Sequence, residues 1–196
     1  MIANPQYLNP EDYLELEAES SIKHEYINGR VFAMAGSTDT HNVIIGNLFV
    51  EIRSHLRGSG CQTYFTDIKA RLEERNRYYY PDLLVTCDPR DQETSTYKRF
   101  SKLIIEVLSD STEAFDRGDK FLDYQTLPSL EEYVLVNTKQ QRVEIFRRAE
   151  RGLWLLQSYY PPEPIELQSL DLRVEFAELY ADVVLEDVTS ETELEN

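Results

Sequence analysis

The stretch "KLIIEVLSD" at residues 102–110 limits most sharply what this chain can fold into. Leu103, Ile104 and Ile105 precede Glu106, and Val107 and Leu108 follow it, so the segment reads as a strand apolar on both faces. Such a strand belongs inside a covered sheet, and it takes an ionisable acid in with it. An unpaired carboxylate in an apolar interior either costs several kcal/mol or neutralises itself by a pKa shift. Glu106 therefore demands a basic partner, a water-filled cleft or a metal ion.

A second acid stands in similar surroundings. In "YYYPDLLVTCD", Asp82 follows Pro81 and precedes Leu83, Leu84 and Val85. Pro81 is unusual in a central strand, because it cannot donate a ladder hydrogen bond. Asp82 and Glu106 lie 24 residues apart, room for a loop between neighbouring strands. If strands over about 79–87 and 102–108 pair, the two carboxylates converge at one edge of the sheet. Converging carboxylates suit a hard, oxygen-loving cation such as Mg²⁺. The plainer alternative is a buried acid satisfied by backbone donors or an arginine.

The rest of the chain supplies the frame. "NPEDYLELEAE" predicts a short helix with Asn9 as its N-cap and Pro10 at the first helical position. Asn28-Gly29 predicts a hairpin between strands at about 23–27 and 30–35. Val43, Ile44, Leu48, Ile52 and Leu56 recur at helical spacing over residues 39–57. "CQTYFTDIKARLE" and "YYYPDLLVTCD" read as single strands joined by a turn at "ERNR". One helix is expected from about Ser111 or Thr112 to just before Pro128. Strands follow at about 131–137, 141–148 and 153–159, then a short helix near 176–180. Helix, strands, an embedded helix and more strands imply an α/β or α+β fold with one mixed central sheet.

Composition narrows the partners. The formal charge of −16 argues against tight, sequence-independent nucleic-acid binding, which needs a basic surface. Residues 186–196 carry five acids and no bases and are expected to form a disordered tail beyond a single domain at 1–185. Even without that tail the charge stays at −11. An enzyme that acts on nucleic acid through a divalent ion remains compatible with this balance. No apolar run approaches the roughly 20 residues of a membrane span, and the N-terminal residues carry no secretory pattern. Cys61 and Cys87 are expected as buried, reduced thiols of a cytoplasmic protein, too few for a zinc site.

"YPD", "LIIEVLS" and "DRGDKFLDYQTLPSLEEYVLVN" together resemble the Uma-two family of endonuclease-like proteins, within the PD-(D/E)xK nuclease superfamily. The resemblance runs from about "HEYINGRV" to the C-terminal strands. It implies a restriction-endonuclease-like mixed sheet flanked by helices, here with an additional antiparallel strand region. It also implies Mg²⁺ (or Mn²⁺) held by Asp82 and Glu106, with the Val107 carbonyl as a third oxygen, for hydrolysis of DNA phosphodiesters. The superfamily places a lysine two residues after the second acid, and here that residue is Leu108. In this family the base has moved to the next helix, where Lys120 shares a stripe with Asp116 and Tyr124. The plainer reading of Lys120 is a surface pair with Asp116.

Further candidates are Glu25, His41 and Gln125. Glu25 precedes the Asn28-Gly29 turn as the family's early acid does, or serves as a cross-strand partner of a Lys or Arg. His41 stands at a helix start, where capping or solvation is the ordinary role, and could touch a substrate phosphate. Gln125 and Tyr124 could line the cleft, although core packing is the commoner fate of such a tyrosine. A homodimer is expected by analogy, since nucleases of this kind often cut two strands with two subunits. The rival to an active DNA endonuclease is an inactive nuclease fold kept as a binding or regulatory module.

Overall fold

The computed structural model describes residues 7–34 and 36–185, so the acidic tail expected at 186–196 lies outside the described residues. In chain order the elements are α1 (Pro10–Glu19), β1 (His24–Ile27), β2 (Arg30–Ala33), α2 (Asp39–His55), β3 (Gln62–Phe65), β4 (Lys69–Leu72) and β5 (Arg77–Tyr79). Next come β6 (Leu83–Thr86), β7 (Tyr97–Lys98), β8 (Ser101–Val107), α3 (Glu113–Arg117) and α4 (Asp119–Tyr124). The chain continues through β9 (Glu132–Val136), β10 (Val143–Arg148), β11 (Trp154–Tyr159), β12 (Ile165–Leu167), β13 (Leu172–Val174) and α5 (Phe176–Leu179). A six-stranded sheet runs β11-β10-β9-β8-β6-β3, and β8 and β9 are its parallel pair. A five-stranded sheet runs β2-β1-β5-β4-β7, and β12 and β13 form a small hairpin.

Strand alternation divides the core into two faces. From β8, Leu103, Ile105 and Val107 pack with Ile44, Leu48 and Ile52 of α2 and with Leu179 of α5. Ile104, and Leu108 just past the strand, face the other way, against Phe121 and Tyr124 of α4 and Tyr79 of β5. Glu106 shares that second face. A third cluster, of Tyr13, Tyr26, Val31 and Tyr78, seats α1 on the five-stranded sheet. The expected caps form: Asn9 Oδ1 accepts from the Asp12 N–H at 2.8 Å. Asn28 and Gly29 take φ of +47° and +90°, as the tight hairpin turn requires.

Three expectations give way. Each of the two long strands is a pair of strands that belong to different sheets. β3 lies in the six-stranded sheet and β4 in the five-stranded one; β5 and β6 are divided the same way. Pro81 explains the second break, since a residue without an N–H is best placed where no ladder needs one. The long helix before Pro128 is likewise two, interrupted at Gly118, where φ is −108° and ψ −105°. A Cβ there would stand 3.0 Å from the Ala114 carbonyl oxygen. Finally, Cys61 and Cys87 form a disulfide rather than two free thiols. β3 and β6 pair antiparallel with Gln62 opposite Thr86, which sets the two cysteines face to face just beyond. Among the described residues no helix is long and apolar enough to cross a membrane.

Candidate active site

The two crossings between sheets lie side by side and create the site. Asp82 occupies the β5–β6 crossing, and its carbonyl accepts from the N–H of Thr66 in the β3–β4 crossing at 3.1 Å. β6 pairs antiparallel with β8, Leu83 opposite Ile105, so Asp82 falls opposite Glu106 one step on. The Val107 N–H donates to Asp82 Oδ2 at 2.7 Å, tying the first acid to the strand of the second. Asp82 keeps 18% of its side chain exposed, whereas Glu106 is buried.

Glu106 is the centre of a buried ionic cluster. Lys120 Nζ lies 2.9 Å from Glu106 Oε1, 3.3 Å from Glu25 Oε1 and 3.4 Å from Asp116 Oδ1. The Tyr124 hydroxyl donates to Glu106 Oε1 at 3.1 Å. Glu25 also accepts from the Tyr80 N–H at 3.4 Å, on the residue that enters the Pro81-Asp82 crossing. Burial pushes the Glu106 carboxyl well above the ordinary range; Lys120 opposes the shift, and Asp116 and Asp82 add to it. Glu25 is raised for the same first reason, with Lys120 again opposing. Burial works against the Lys120 ammonium, but Glu106 and Glu25 outweigh it and hold the lysine well above its usual value.

His41, in the first turn of α2, reaches the other end of the site. Its Nε2 stands 3.2 Å from Asp82 Oδ2, and its Nδ1 is buried without a hydrogen-bond partner. Burial disfavours the imidazolium, and the Asp82 carboxylate overcomes this, raising the His41 pKa. The Val107 carbonyl also favours the charged ring, which places that oxygen beside the site.

Asp82, Glu106, Val107, Lys120, Glu25 and His41 are thus brought into one connected constellation. Gln125 caps α4, its carbonyl accepting from Arg148 Nη2 at 3.0 Å, and it makes no hydrogen bond to the cluster among the described residues. Lys120 is not in a surface pair: its contact with Asp116 is buried. Asp116 and Tyr124 contribute more than the sequence led us to expect. Their signal was the stripe of Asp116, Lys120 and Tyr124, which survives the break at Gly118.

The donor set bears on metal binding. Among the described residues no group of three or more His, Cys, Asp and Glu side chains is arranged to hold a metal ion. Mg²⁺ needs only one or two carboxylates, the remaining positions going to water and substrate oxygens. Asp82 Oδ1 and Glu106 Oε2 take part in none of the bonds above, and the Val107 carbonyl adds a neutral oxygen. Four carboxyl groups (Glu25, Asp82, Glu106 and Asp116) gather around the Lys120 ammonium and the His41 ring, an acid-rich set that suits a dication. The residues fit a small hard cation.

Comparison with known proteins gives a consistent picture. The sequence model of the Uma2 family, described as "Putative restriction endonuclease", matches residues 10–182. Uncharacterized protein slr1290 of Synechocystis sp. is 38% identical over 165 residues, covering 84% of this chain and 87% of the relative. Uncharacterized protein sll1609 of the same organism is 30% identical over 158 residues, covering 80% and 89%. The crystal structure of "a putative nuclease belonging to DUF820" from Anabaena variabilis has the same fold, with a TM-score of 0.74. It is 16% identical and covers 90% of this chain and 99% of its own.

Proposed function

The chain belongs to the Uma2 family, and from that membership together with the site we propose that it is a divalent-metal-dependent endonuclease of DNA. The observation that carries this reading is the burial of Lys120 against Glu106 at 2.9 Å, beside Asp82, on a helix that replaces the missing strand lysine. Asp82, Glu106 and the Val107 carbonyl would hold Mg²⁺ or Mn²⁺. The ion, when bound, supplies Lewis-acid polarisation of a phosphoryl oxygen and a more acidic water.

The protein's own groups do the rest. Lys120 and Tyr124 fix the Glu106 carboxylate from two sides, so its free oxygen is held in place before substrate arrives. The Lys120 ammonium also sets a fixed positive charge where charge grows on the attacked phosphate. His41 steadies Asp82 and, when protonated, brings a second positive charge to the phosphate side. Working as a homodimer would let two such sites cut opposite strands.

The deciding experiment is cleavage of DNA with Mg²⁺ or Mn²⁺ by wild type and Asp82→Ala. Cleavage by wild type alone supports the reading, and equal activity in both removes the site. A folded wild type inert with either metal leaves a nuclease fold that serves as a binding module.

A further inference from the structure

A groove of about 300 Å³ runs along α2 beside the site, lined by Asn42, Ile45, Gly46, Phe49, Val50, Phe65 and Thr66. It joins the site at two points. Asn42 follows His41, which pairs with Asp82, and Thr66 donates its N–H to the Asp82 carbonyl at 3.1 Å. The groove's walls are otherwise apolar, and Phe65 and Val50 are 47% and 58% exposed within it. Phe65 packs on Phe49 at a tilt of 53°, with ring centroids 4.6 Å apart, which holds the ring in place while part of its surface stays open.

Gly46 is the telling residue. It sits in the interior of the 17-residue helix α2, where glycine weakens the helix relative to alanine. Apart from its chain neighbours and its own helical turns, no atom lies within 4 Å of where its Cβ would stand, so packing gives no reason for a glycine there. A side chain at this position would instead project into the groove. The end nearer Asp82 is polar: Lys23 Nζ is shared between the Thr66 carbonyl, at 3.0 Å, and the Asp67 carboxylate, and His41 stands on Asp82. One end thus abuts the proposed metal site, where phosphate would lie, and the other offers a flat apolar ring. That division is the chemistry of a nucleotide.

We propose that this groove seats an unpaired nucleobase next to the scissile phosphodiester, stacked on Phe65 over Gly46. The inference rests on the nuclease reading above and narrows its substrate class to single-stranded or locally opened DNA. A base paired within a duplex is stacked on its neighbours and must leave them to lie on a protein ring. Asn42 adds a polar contact at the rim. Its amide nitrogen donates to Ser37 Oγ at 2.8 Å, which leaves the carboxamide oxygen free to accept from a base edge.

The test is binding of a short single-stranded deoxyoligonucleotide carrying 2-aminopurine, followed by fluorescence with Ca²⁺ in place of Mg²⁺ so that a dication offsets the acidic cluster, with the probe shown intact afterwards by electrophoresis. Wild type is expected to quench the probe by stacking and to bind it more tightly than the matched duplex. Phe65→Leu and Gly46→Leu should each weaken single-strand binding on the order of 5- to 100-fold, the range of one base–aromatic stack. Gly46→Ala should raise the melting temperature while weakening binding, a pairing that a merely structural glycine would not produce. If both leucine variants fold and bind like wild type, or if wild type prefers the duplex, the proposal is overturned. The two readings fail separately. Metal-dependent cleavage with unaltered binding in the groove variants overturns the groove alone. Quenching that the variants lose, in a wild type that cleaves nothing, overturns the nuclease reading and sustains the groove.

Discussion

Lys120 and Lys69 lie at the same depth, each 5% exposed, yet the protein holds them in opposite ways. Lys120 meets three carboxylates within 3.4 Å, and together they hold its proton more tightly than water would. The Lys69 ammonium, on β4, makes a single hydrogen bond among the described residues, to the Tyr80 hydroxyl at 3.1 Å, and stands over that ring at 4.9 Å. Among the described residues no carboxylate pairs with it, and burial lowers its pKa, only partly opposed by Glu17. Tyr80 in turn donates to Glu17 at 2.9 Å, and Glu17 accepts from the His24 N–H, closing a chain that pins α1 to the sheet. One carboxylate would be enough to satisfy an ammonium. Three, with Asp82 nearby, make a surplus of acids that stability does not ask for, and that surplus marks the site.

The sharpest way to break this contrast is Lys120→Met. It removes the one ammonium among buried acids and leaves their charge uncompensated, a loss expected to cost about 3–5 kcal/mol. Urea denaturation should show it, together with complete loss of DNA cleavage. Adding Glu106→Gln to the same chain should restore part of the stability, because one of the stranded charges is gone, and none of the cleavage. A cost below about 1 kcal/mol for the single variant would mean that the cluster is not ionised as its geometry implies.

Much of this was legible in the residues. The apolar run around Glu106 announced a covered strand, and the apolar residues after Pro81-Asp82 announced a second, since local pattern carries strand identity. The Asn28-Gly29 hairpin and the caps of α1 were readable because backbone chemistry alone dictates them. What failed was non-local. Nothing in "CQTYFTDIKARLE" shows that β3 and β4 enter different sheets, because both halves carry strand chemistry and only tertiary packing divides them. The disulfide was hidden for the same reason: the register of β3 against β6 brings Cys61 to Cys87, and register is not written in either segment. His41 read as a cap because its position, not its reach, is local. The Lys69–Tyr80–Glu17–His24 chain had no sequence signal at all, its members coming from three separate elements and the β5–β6 crossing.

Tyr124→Phe probes the Lys120 side more gently. It deletes one donor to Glu106 and keeps the ring that packs between Tyr79 and Tyr133. The expected cost is about 1.5–3 kcal/mol, the range for hydrogen bonds to charged groups. Because this hydroxyl orients a proposed metal ligand, cleavage should fall roughly 10- to 100-fold and need more Mg²⁺ to saturate. An unchanged Mg²⁺ requirement would reduce Tyr124 to a packing residue.

Lys69→Met tests the other side, with the smallest effect and the opposite sign. Methionine keeps the apolar stem and removes an ammonium that burial disfavours, while the Tyr80 hydroxyl still donates to Glu17. Stability should therefore be unchanged or rise by up to about 1 kcal/mol, with cleavage unaffected. Its pH dependence follows from the lowered pKa. Below the ~10.4 of an unfolded lysine there is a window in which the unfolded chain keeps a proton that the folded chain has released. Through that window wild-type stability gains with rising pH. The advantage of Lys69→Met should accordingly be largest near neutrality and shrink as pH approaches that value, as denaturation at a series of pH values would show. A variant that loses stability at neutral pH would instead place Lys69 beside Lys120, as a cation that the fold depends on.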